Sequence, residues 1–459
     1  MNSNPRPEVR ANAVANHLVK SGMQKLPKDH ENEVNRHWKS YKESTNTEQQ
    51  IASSDACDPI SLEELEAALK LLKPGKASGY DQIFPEFLLN LGHSAKSWLT
   101  KFMKRILHEK HLPKTWRKAK IISIPKPGKD NKLPKNYRPI SLLSVSYKLF
   151  ERIILQRILP KIESHLTIDQ AGFRSGRSAG EQVLALTTFI ENGFQTKLKT
   201  GAIFLDLSAA YDSVWHKGLL LKLSQLLPPW AVNIIECLLR NRRFRVHMRD
   251  DTSRWRNQKN GLPQGSVLAP ILFNIYTNDI PPTTSRRFIY ADDICCAYQA
   301  RTFEELETIL NEDLAKVANF FSKWRLKPNT TKTVSSVFHL TNSCCNRQLN
   351  VHLRGNPISH EPNPTYLGIT LDRALTYNQH LRKLSAKIRT RNNLLQMLAG
   401  STWGANATVL RTTGLALCFS TAEYCCPSWK NSAHCRRIDA QLNSTMRIVS
   451  GAIKATATE

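Results

Sequence analysis

Three aspartates of the chain are spaced so that their carboxylates could share metal ions. Asp292 and Asp293 lie at the predicted tip of a hairpin formed by residues 288–298, and Asp206 ends the β-rich run 202–206. Carboxylate oxygens are the ligands that Mg²⁺ prefers, and two such ions about 3.5–4 Å apart promote in-line phosphoryl transfer. An adjacent pair of aspartates is often only a turn, because Asp bonds its own backbone. The interpretation therefore depends on the rest of the chain.

The elements that must hold these carboxylates are predicted from hydrophobic periodicity and from turn residues. Ser61 and Glu64 form a capping box that opens one helix, and Thr302 opens another, whose apolar stripe we expect to pack on the sheet. The other predicted helices span residues 87–108, 147–159 (ending at Pro160), 180–198, 219–227, 231–239 and 440–449, with a basic one from Tyr377. Further predicted strands span residues 119–124, 244–248 and 254–258.

The N-terminal part of the chain carries weaker signals. Residues 1–40 are basic and polar, with weak helical patterning between Val9 and Val19. Residues 41–59 lack apolar periodicity, which predicts a linker or a disordered segment.

Composition favours a polyanionic partner. The 459 residues include 65 Lys and Arg against 38 Asp and Glu, a formal net charge of +27. A chain of this length can bury a large core and is expected to form two or three subdomains. The charge alone would equally suit a ribosomal or chromatin protein, so the acidic cluster inside a basic chain is the detail that favours metal-assisted chemistry on nucleic acid.

Targeting signals are absent from the sequence. Residues 1–20 are polar and lack the apolar segment of a signal peptide, and no apolar run is long enough to cross a bilayer. We therefore expect an intracellular protein, without membrane contact, whose 10 cysteines are reduced.

A series of blocks along the chain resembles one known family. In sequence and in order, the chain is similar to the reverse transcriptases of non-LTR (LINE-type) retrotransposons, and most similar to the jockey-like elements. The blocks are residues 124–128 with 136–142, then 170–176, 204–214, 261–270, 290–293, 327–333 and 366–369. Together they cover roughly residues 60–370, so the resemblance is specific.

This resemblance implies an α+β fold of the right-hand polymerase type. It implies fingers, a palm whose antiparallel sheet carries the aspartate triad, and a helical thumb. The expected divisions are a basic N-terminal extension and linker (1–59), fingers and part of the palm (60–200), the palm with catalytic motifs and primer grip (201–370), and the thumb with the C-terminal region (371–459).

The resemblance also assigns catalytic roles. Asp206 and Asp292 would bind two Mg²⁺ ions, with Mn²⁺ as an alternative, and Asp293 would support them as a third metal-site residue. Lys332, three residues after Asn329, would protonate or neutralise the leaving pyrophosphate. For Lys332 the alternative is an ordinary surface charge.

Five residues are implied to contact the incoming nucleotide. Lys126 and Arg138 would clamp the triphosphate, Arg174 would touch template or nucleotide, and Gln264 would lie in the loop that forms the floor of the site. Tyr211, five residues after Asp206, would occupy the volume of a 2′-hydroxyl and so favour deoxynucleotides. The alternatives are surface charge for the cations, an ordinary loop for Gln264 and a core residue for Tyr211.

Two further segments are implied to hold the primer. Tyr366, Leu367 and Gly368 resemble the primer grip, with a core tyrosine beside a turn as the alternative. The cation-rich stretch 380–391 resembles a thumb helix that follows the primer–template duplex, with a solvated helix face as the alternative.

The implied partners are an RNA template, a DNA primer and dNTPs. Nothing in residues 1–59 could host the upstream endonuclease of complete elements, so that activity is expected from a missing domain or another protein. Target-primed copying would take place in the nucleus, with the cytoplasm as an alternative. Two other interpretations stay open: a catalytically inactive RNA-binding relic, and a viral RNA-copying polymerase, which Tyr211 and the tetrad 290–293 disfavour.

Overall fold

The fold is taken from a computed structural model that describes residues 10–23, 26–51, 57–249, 251–400, 403–453 and 455, without the side chains of residues 46–51. The chain forms two compact units. The first unit contains Met1–Thr167, Leu207–Pro281 and Asn319–Lys327, and the second contains Ile168–Asp206, Pro282–Ala318 and Pro328–Glu459.

The described residues combine many helices with short sheets, a mixed α+β composition. The helices are α1 (Ala11–Ser21), α2 (Lys28–Ile51), α3 (Leu62–Lys70), α4 (Pro85–Leu89), α5 (His93–Glu109), α6 (Val145–Glu163), α7 (Ala179–Gln195), α8 (Ala210–Ser213), α9 (His216–Ser224), α10 (Pro229–Leu239), α11 (Ala269–Thr277), α12 (Phe303–Lys323), α13 (Asn378–Leu398), α14 (Ala407–Gly414), α15 (Ser420–Glu423), α16 (Cys426–Trp429) and α17 (Arg436–Ser450). A π-helical turn, Leu415–Phe419, connects α14 to α15. No described helix is long and apolar enough to span a membrane.

The strands are short and belong to two main sheets and two small hairpins. They are β1 (Lys118–Pro125), β2 (Tyr137–Leu142), β3 (Lys199–Leu205), β4 (Arg242–Met248), β5 (Asp251–Thr252), β6 (Arg256–Gln258), β7 (Arg286–Tyr290), β8 (Asp293–Ala300), β9 (Val334–Phe338), β10 (His352–Leu353), β11 (Asn356–Pro357), β12 (Ser359–His360), β13 (Thr365–Tyr366) and β14 (Ile369–Thr370). The predicted hairpin after β4 is confirmed, although Asp250 at its turn lies outside the described residues.

The first unit contains a sheet of order β2-β1-β4-β5, with β6 also paired to β4. β1 and β4 are parallel, and the other pairs are antiparallel. β2 of this sheet carries Arg138, one of the predicted nucleotide contacts, and ends beside the loop that contains Gln264.

Helix α2 corrects the prediction of a linker for its residues 41–51. Within the first unit it packs against α9, and Val34 and Trp38 are buried. The Lys42 ammonium lies 2.6 Å from a carboxylate oxygen of Glu236. Most helix stability in proteins comes from such tertiary packing, so a segment without a clear apolar stripe of its own could still fold. Residues 52–56 of the predicted linker lie outside the described part.

Two helix boundaries also differ from the predictions. Helix α6 continues past Pro160 to Glu163, although proline lacks the backbone donor and disfavours a helix interior. Ile158 and Ile162 on either side of this proline are buried, and that burial outweighs the lost hydrogen bond. The predicted helix 87–108 is divided into α4 and α5, because Gly92 caps the second of them.

The second unit is built on a sheet of order β12-β9-β3-β8-β7. β3 lies in the middle and is antiparallel to both neighbours, whereas β12 runs parallel to β9. Alternate residues of β3 face opposite sides of the sheet. Gly201 faces Leu306 and Leu310 of α12, which confirms that the stripe of α12 packs on the sheet. Ala202 and Phe204 face the core formed with α7 and α13.

Candidate active site

The end of β3 brings Asp206 beside the β7–β8 hairpin within the second unit. Leu205 pairs with Ile294 of β8 in antiparallel register, so the next step along the two strands places Asp206 opposite Asp293. At the other side of β8, Tyr290 pairs with Asp293. The predicted strand, turn and strand around the aspartates are therefore confirmed.

The tip of this hairpin is a tight turn made by Ala291 and Asp292. Ala291 has a positive φ of 58°, a conformation that is uncommon for a residue with a Cβ. The turn places Asp292 beyond the last paired residues of the strand ladder, Tyr290 and Asp293. Such a conformation persists only where its surroundings fix it.

The side chain of Gln170 supplies that constraint. Its Oε1 accepts hydrogen bonds from the backbone N of Ala291 and of Gly172, both at 2.8 Å, and its Nε2 donates to the Ala291 carbonyl at 3.3 Å. Gln170 is buried, and a Cβ on Gly172 would lie only 2.3 Å from the Ala291 nitrogen. Sequence analysis noted the block 170–176 but missed this bracing role.

The side chain of Lys332 forms a salt bridge with Asp206. Its ammonium is 3.2 and 3.3 Å from the two carboxylate oxygens of Asp206. Asn329 orients the turn that carries this lysine, because its backbone N donates to the Asp206 carbonyl at 2.7 Å and its own carbonyl accepts from Lys332 N and Thr333 N. The spacing of Asn329 and Lys332 in the sequence thus corresponds to one compact turn.

The electrostatics of this cluster favour a bound cation. Burial raises the pKa of Asp292, and it raises the pKa of Asp293 to about 6. The charge of Asp206 contributes to the rise of both pKa values, whereas Lys332 opposes it. Carboxylates that disfavour one another's charge are stabilised by a cation between them.

Two carboxylates of this cluster could contribute to a divalent-cation site. In the part of the chain that the structure describes, no three His, Cys, Asp or Glu side chains lie close enough to hold one ion together. Mg²⁺ is usually held by one or two carboxylates, with waters and substrate phosphates completing the shell. Asp206, already contacted by the Lys332 cation, and Asp292 offer two such carboxylates.

In the first unit, the loop formed by residues 261–265 contains Gln264 and contacts the backbone of Tyr211. Leu262 N donates to the Tyr211 carbonyl at 2.8 Å, and Ser141 N donates to the Gln264 carbonyl at 2.9 Å. The Tyr211 ring is half-buried and stacks on Phe273, with centroids 4.7 Å apart. Gln264 lines a cavity together with Ser141 and Asp212. Burial raises the pKa of Asp212 to about 6.

Two side chains that sequence analysis missed, the half-buried His216 and the buried Glu151, fix this loop and the residues that follow it. His216 Nε2 lies 2.8 Å from the Gly261 carbonyl, so this nitrogen carries the proton and donates. Glu151 of α6 accepts from the hydroxyl of Ser266 and, at 2.9 Å, from the backbone N of Val267. Because a Cβ on Gly261 would lie 2.7 Å from the Asp212 carbonyl oxygen, only glycine allows this close approach.

The three predicted cations lie in different settings. Arg138 is exposed on β2 of the first unit. Lys126 of that unit donates to the Lys135 carbonyl at 2.9 Å, which ties its ammonium to the neighbouring turn. Arg174 belongs to the second unit, where it donates to the Gln170 carbonyl at 3.2 Å.

The predicted primer grip is the β13–β14 hairpin of the second unit. Tyr366 pairs with Ile369, so Leu367 and Gly368 form the turn. The Tyr366 hydroxyl donates to the Phe288 carbonyl on β7 at 3.1 Å. The hairpin is thereby attached to the strand that leads into the aspartate turn.

The structure thus brings Asp206, Asp292, Asp293 and Lys332 together in the second unit, with the hairpin of Tyr366 attached to the same sheet. It groups Tyr211 with Gln264 in the first unit. The roles assigned to these residues remain predictions.

Comparison with known proteins identifies the family. Residues 124–371, more than half of the chain, match the model of the reverse transcriptase (RNA-dependent DNA polymerase) family. The chain belongs to the reverse transcriptase family. All the described elements of the aspartate cluster lie within the matched span of this reverse transcriptase.

Several of its relatives are named as proteins of insect transposons. The chain is 36% identical over 351 residues to the probable RNA-directed DNA polymerase from transposon BS of Drosophila melanogaster, covering 74% of this chain and 39% of the relative. It is 34% identical over 345 residues to the RNA-directed DNA polymerase from mobile element jockey of Drosophila funebris, covering 73% and 37%. The chain therefore spans about two fifths of the length of these relatives, and the predicted resemblance to jockey-like elements is confirmed.

Proposed function

We propose that the chain is an RNA-directed DNA polymerase that adds dNTPs to a primer 3′ end on an RNA template. The observation that carries the proposal is the position of Asp206 beside the Asp292–Asp293 turn, on adjacent strands of one sheet. Family membership supports the same activity, because the relatives named RNA-directed DNA polymerase match across most of this chain.

The fold can be divided accordingly. We assign the sheet of the second unit to the palm, because it carries the carboxylates. We assign the helices α13, α14 and α17, which pack on one another, to the thumb. The sheet of the first unit, with Arg138 on β2, is assigned to the fingers.

Asp206 and Asp292 would hold the metal ions, and Asp293 would raise the negative charge around them. When bound, two Mg²⁺ ions stabilise the attacking and leaving oxygens of an in-line displacement. Lys332 is held by Asp206, from where its ammonium can neutralise or protonate a leaving pyrophosphate. Mn²⁺ could replace Mg²⁺, since both take oxygen ligands.

Nucleotide contacts are assigned to Arg138, Lys126, Gln264 and Tyr211 in the first unit and, separately, a contact with template or nucleotide is assigned to Arg174 in the second unit. The exposed guanidinium of Arg138 suits a triphosphate oxygen pair, with Lys126 as a weaker contact because the Lys135 carbonyl holds its ammonium. The loop 261–265 would hold Gln264 and the backbone of Tyr211 in fixed positions, so that the contacts with the base and with the sugar keep a constant geometry.

The partners follow from the reaction. They are an RNA template, a DNA primer and dNTPs, and for integration an endonuclease from a further domain or another protein. Copying at a nicked chromosomal target would place the enzyme in the nucleus.

Primer extension tests the proposal directly. The chain is incubated with a DNA primer on an RNA template, dNTPs and Mg²⁺, and products are resolved by length. We expect extended products that disappear with EDTA and in the matched Asp292→Asn variant. RNA binding without any extension by the native sequence would contradict the proposal and favour the inactive RNA-binding relic.

A further inference from the structure

The turn of the proposed primer grip is conformationally strained. Leu367 has a φ of 46° and Gly368 a φ of 84°. A positive φ is readily adopted by glycine but costs free energy for leucine. A turn of this kind, half-exposed at Leu367, keeps one shape only if neighbouring groups hold it.

One side of the hairpin is held by the sheet. The Tyr366 hydroxyl donates to the Phe288 carbonyl on β7, as described above. The centroid of the Tyr366 ring lies 5.9 Å from the centroid of the Phe204 ring on β3. Tyr366 thus connects to β3, which ends next to Asp206, and to β7, which leads into the turn of Asp292. Neither contact reaches the strained residues of the turn.

Tyr424 holds the turn itself. Its hydroxyl donates to the Leu367 carbonyl at 2.9 Å. The Cε1 of its ring would lie 3.5 Å from a Cβ on Gly368, so the ring packs against the turn. Tyr424 is nevertheless 47% exposed, an unusual state for an aromatic side chain whose hydroxyl has a structural partner.

The segment around Tyr424 is anchored in the core of the second unit. Cys425 has a φ of 54°, and a π-helical turn, of a kind often found at functional sites, precedes α15. Ala422, Cys425 and Trp429 are buried in the core shared with α7 and α13. The Trp429 indole N donates to the Tyr424 carbonyl at 3.4 Å.

The chemistry of the hydroxyl fits this role. Partial burial, together with the neighbouring Cys425 and Tyr290, raises the pKa of Tyr424 to about 12. The hydroxyl therefore stays a protonated donor at neutral pH.

We propose that Tyr424 is a positioning residue for the primer 3′ end, acting through the carbonyl of Leu367 and presenting its exposed ring beside the primer terminus. This inference rests on the proposed polymerase function. It concerns a residue outside the matched span 124–371, so family membership does not supply it. Aromatic faces are suitable supports for nucleotides because base stacking is favourable and independent of sequence.

The test separates seating of the primer from catalysis. Fluorescence of a 2-aminopurine at the primer 3′ terminus, paired with an RNA template and without dNTP, reports how the terminal base is held. In parallel, KM is measured separately for primer–template and for dNTP. The variants are Tyr424→Phe, which removes only the hydroxyl, and Tyr424→Ala, which also removes the ring.

We expect Tyr424→Phe to lose much of the terminal fluorescence change and to raise the KM for primer–template about two- to tenfold, the worth of one hydrogen bond. The KM for dNTP should stay unchanged, and Tyr424→Ala should have the larger effect. Tyr298→Phe makes the same chemical change on β8 of the same unit and should behave as the native protein. If Tyr424→Ala does not fold, the Phe variant still carries the test.

Two failures can be told apart. If the native chain seats the terminal base but does not extend it, the polymerase function is wrong while the fluorescence still decides the role of Tyr424. If Tyr424→Phe and the native chain give the same fluorescence and the same KM for primer–template, the positioning role is overturned.

Discussion

At the scale of single residues, the proposed function depends on carboxylates held by side chains distant in sequence. Gln170 fixes the turn that contains Asp292, and the turn from Asn329 to Thr333 places Lys332 beside Asp206. Pre-positioned charges of this kind are effective because little reorganisation is needed at the moment of reaction.

The first prediction concerns the metal-binding carboxylates. Asp206→Asn and Asp292→Asn should each lower the rate of primer extension by more than about a thousandfold, because each would remove several kcal/mol of charge stabilisation. Binding of an RNA–DNA duplex should change little. Extension rates and duplex affinity are measured on the same preparations, with Asp212→Asn as the matched control that retains most activity. Extension near the native rate in either variant would refute the assignment.

The second prediction concerns sugar selection by Tyr211. Tyr211→Ala should lower the ratio of kcat/KM for dNTP over rNTP by at least about tenfold, equivalent to 1.4 kcal/mol. Because the ring stacks on Phe273, Tyr211→Phe keeps the packing and serves as the control with native selectivity. An unchanged ratio in a folded Tyr211→Ala variant would leave Tyr211 as a core residue.

Sequence analysis could find Asp206, Asp292 and Asp293 because their local pattern, an apolar run that ends in a carboxylate, is visible in short windows. It missed Gln170, whose partner Ala291 is 121 positions away. Block 170–176 marked the region, but no local pattern shows which side chain turns inward. The same reason hid His216, Glu151 and Tyr424.

At the scale of elements, helix boundaries followed tertiary packing more than local signals. Local signals were sufficient for α3 and α12, where Ser61 and Thr302 cap the first turn as predicted. They failed for α2 and at Pro160 of α6, where buried contacts with other elements decide the outcome. Propensity is a weak guide wherever a neighbouring element supplies the missing apolar partner.

The third prediction concerns the loop 261–265 and its anchor His216. Burial lowers the pKa of His216 to about 4, from 6.5, so the unfolded chain gains a proton on acidification before the folded chain does. The contribution of His216 to stability is therefore complete above pH 6.5 and is lost as pH falls towards 4, at about 1.4 kcal/mol per pH unit.

Chemical denaturation at pH 7.5, 5.5 and 4.5 measures this linkage. His216→Gln keeps a donor for the Gly261 carbonyl but cannot titrate, so its unfolding free energy should fall less on acidification than that of the native chain. His352→Gln, at an exposed position on β10, is the matched control and should follow the native curve. Parallel curves for the native chain and His216→Gln would show that His216 is not the linked group.

At the scale of the whole molecule, the chain has a net charge of +27 and also a groove that is lined by arginine side chains. Arg382, Arg389 and Arg437 line an open groove formed by α13 and α17 in the second unit. The opposite side of α13 is apolar, with Leu381, Leu384 and Ile388 in the core. The predicted basic stretch 380–391 is thus divided between an apolar face and a charged face, as the helical period requires.

The fourth prediction is that the affinity for an RNA–DNA duplex falls steeply with salt. Each phosphate neutralised by a cation releases counterions, so log affinity falls linearly with log salt, by roughly 0.7–0.9 per contact. Arg382→Gln combined with Arg389→Gln should reduce the magnitude of this slope by about one to two units and should lower processivity. Arg301→Gln, which changes an exposed arginine of the same unit, should leave the slope unchanged.

Affinity is measured by anisotropy between 50 and 300 mM salt (about a sixfold range). A native slope near zero would exclude phosphate contacts as the source of binding, whereas an unchanged slope in the double variant would place those contacts on other cations than the groove of α13 and α17.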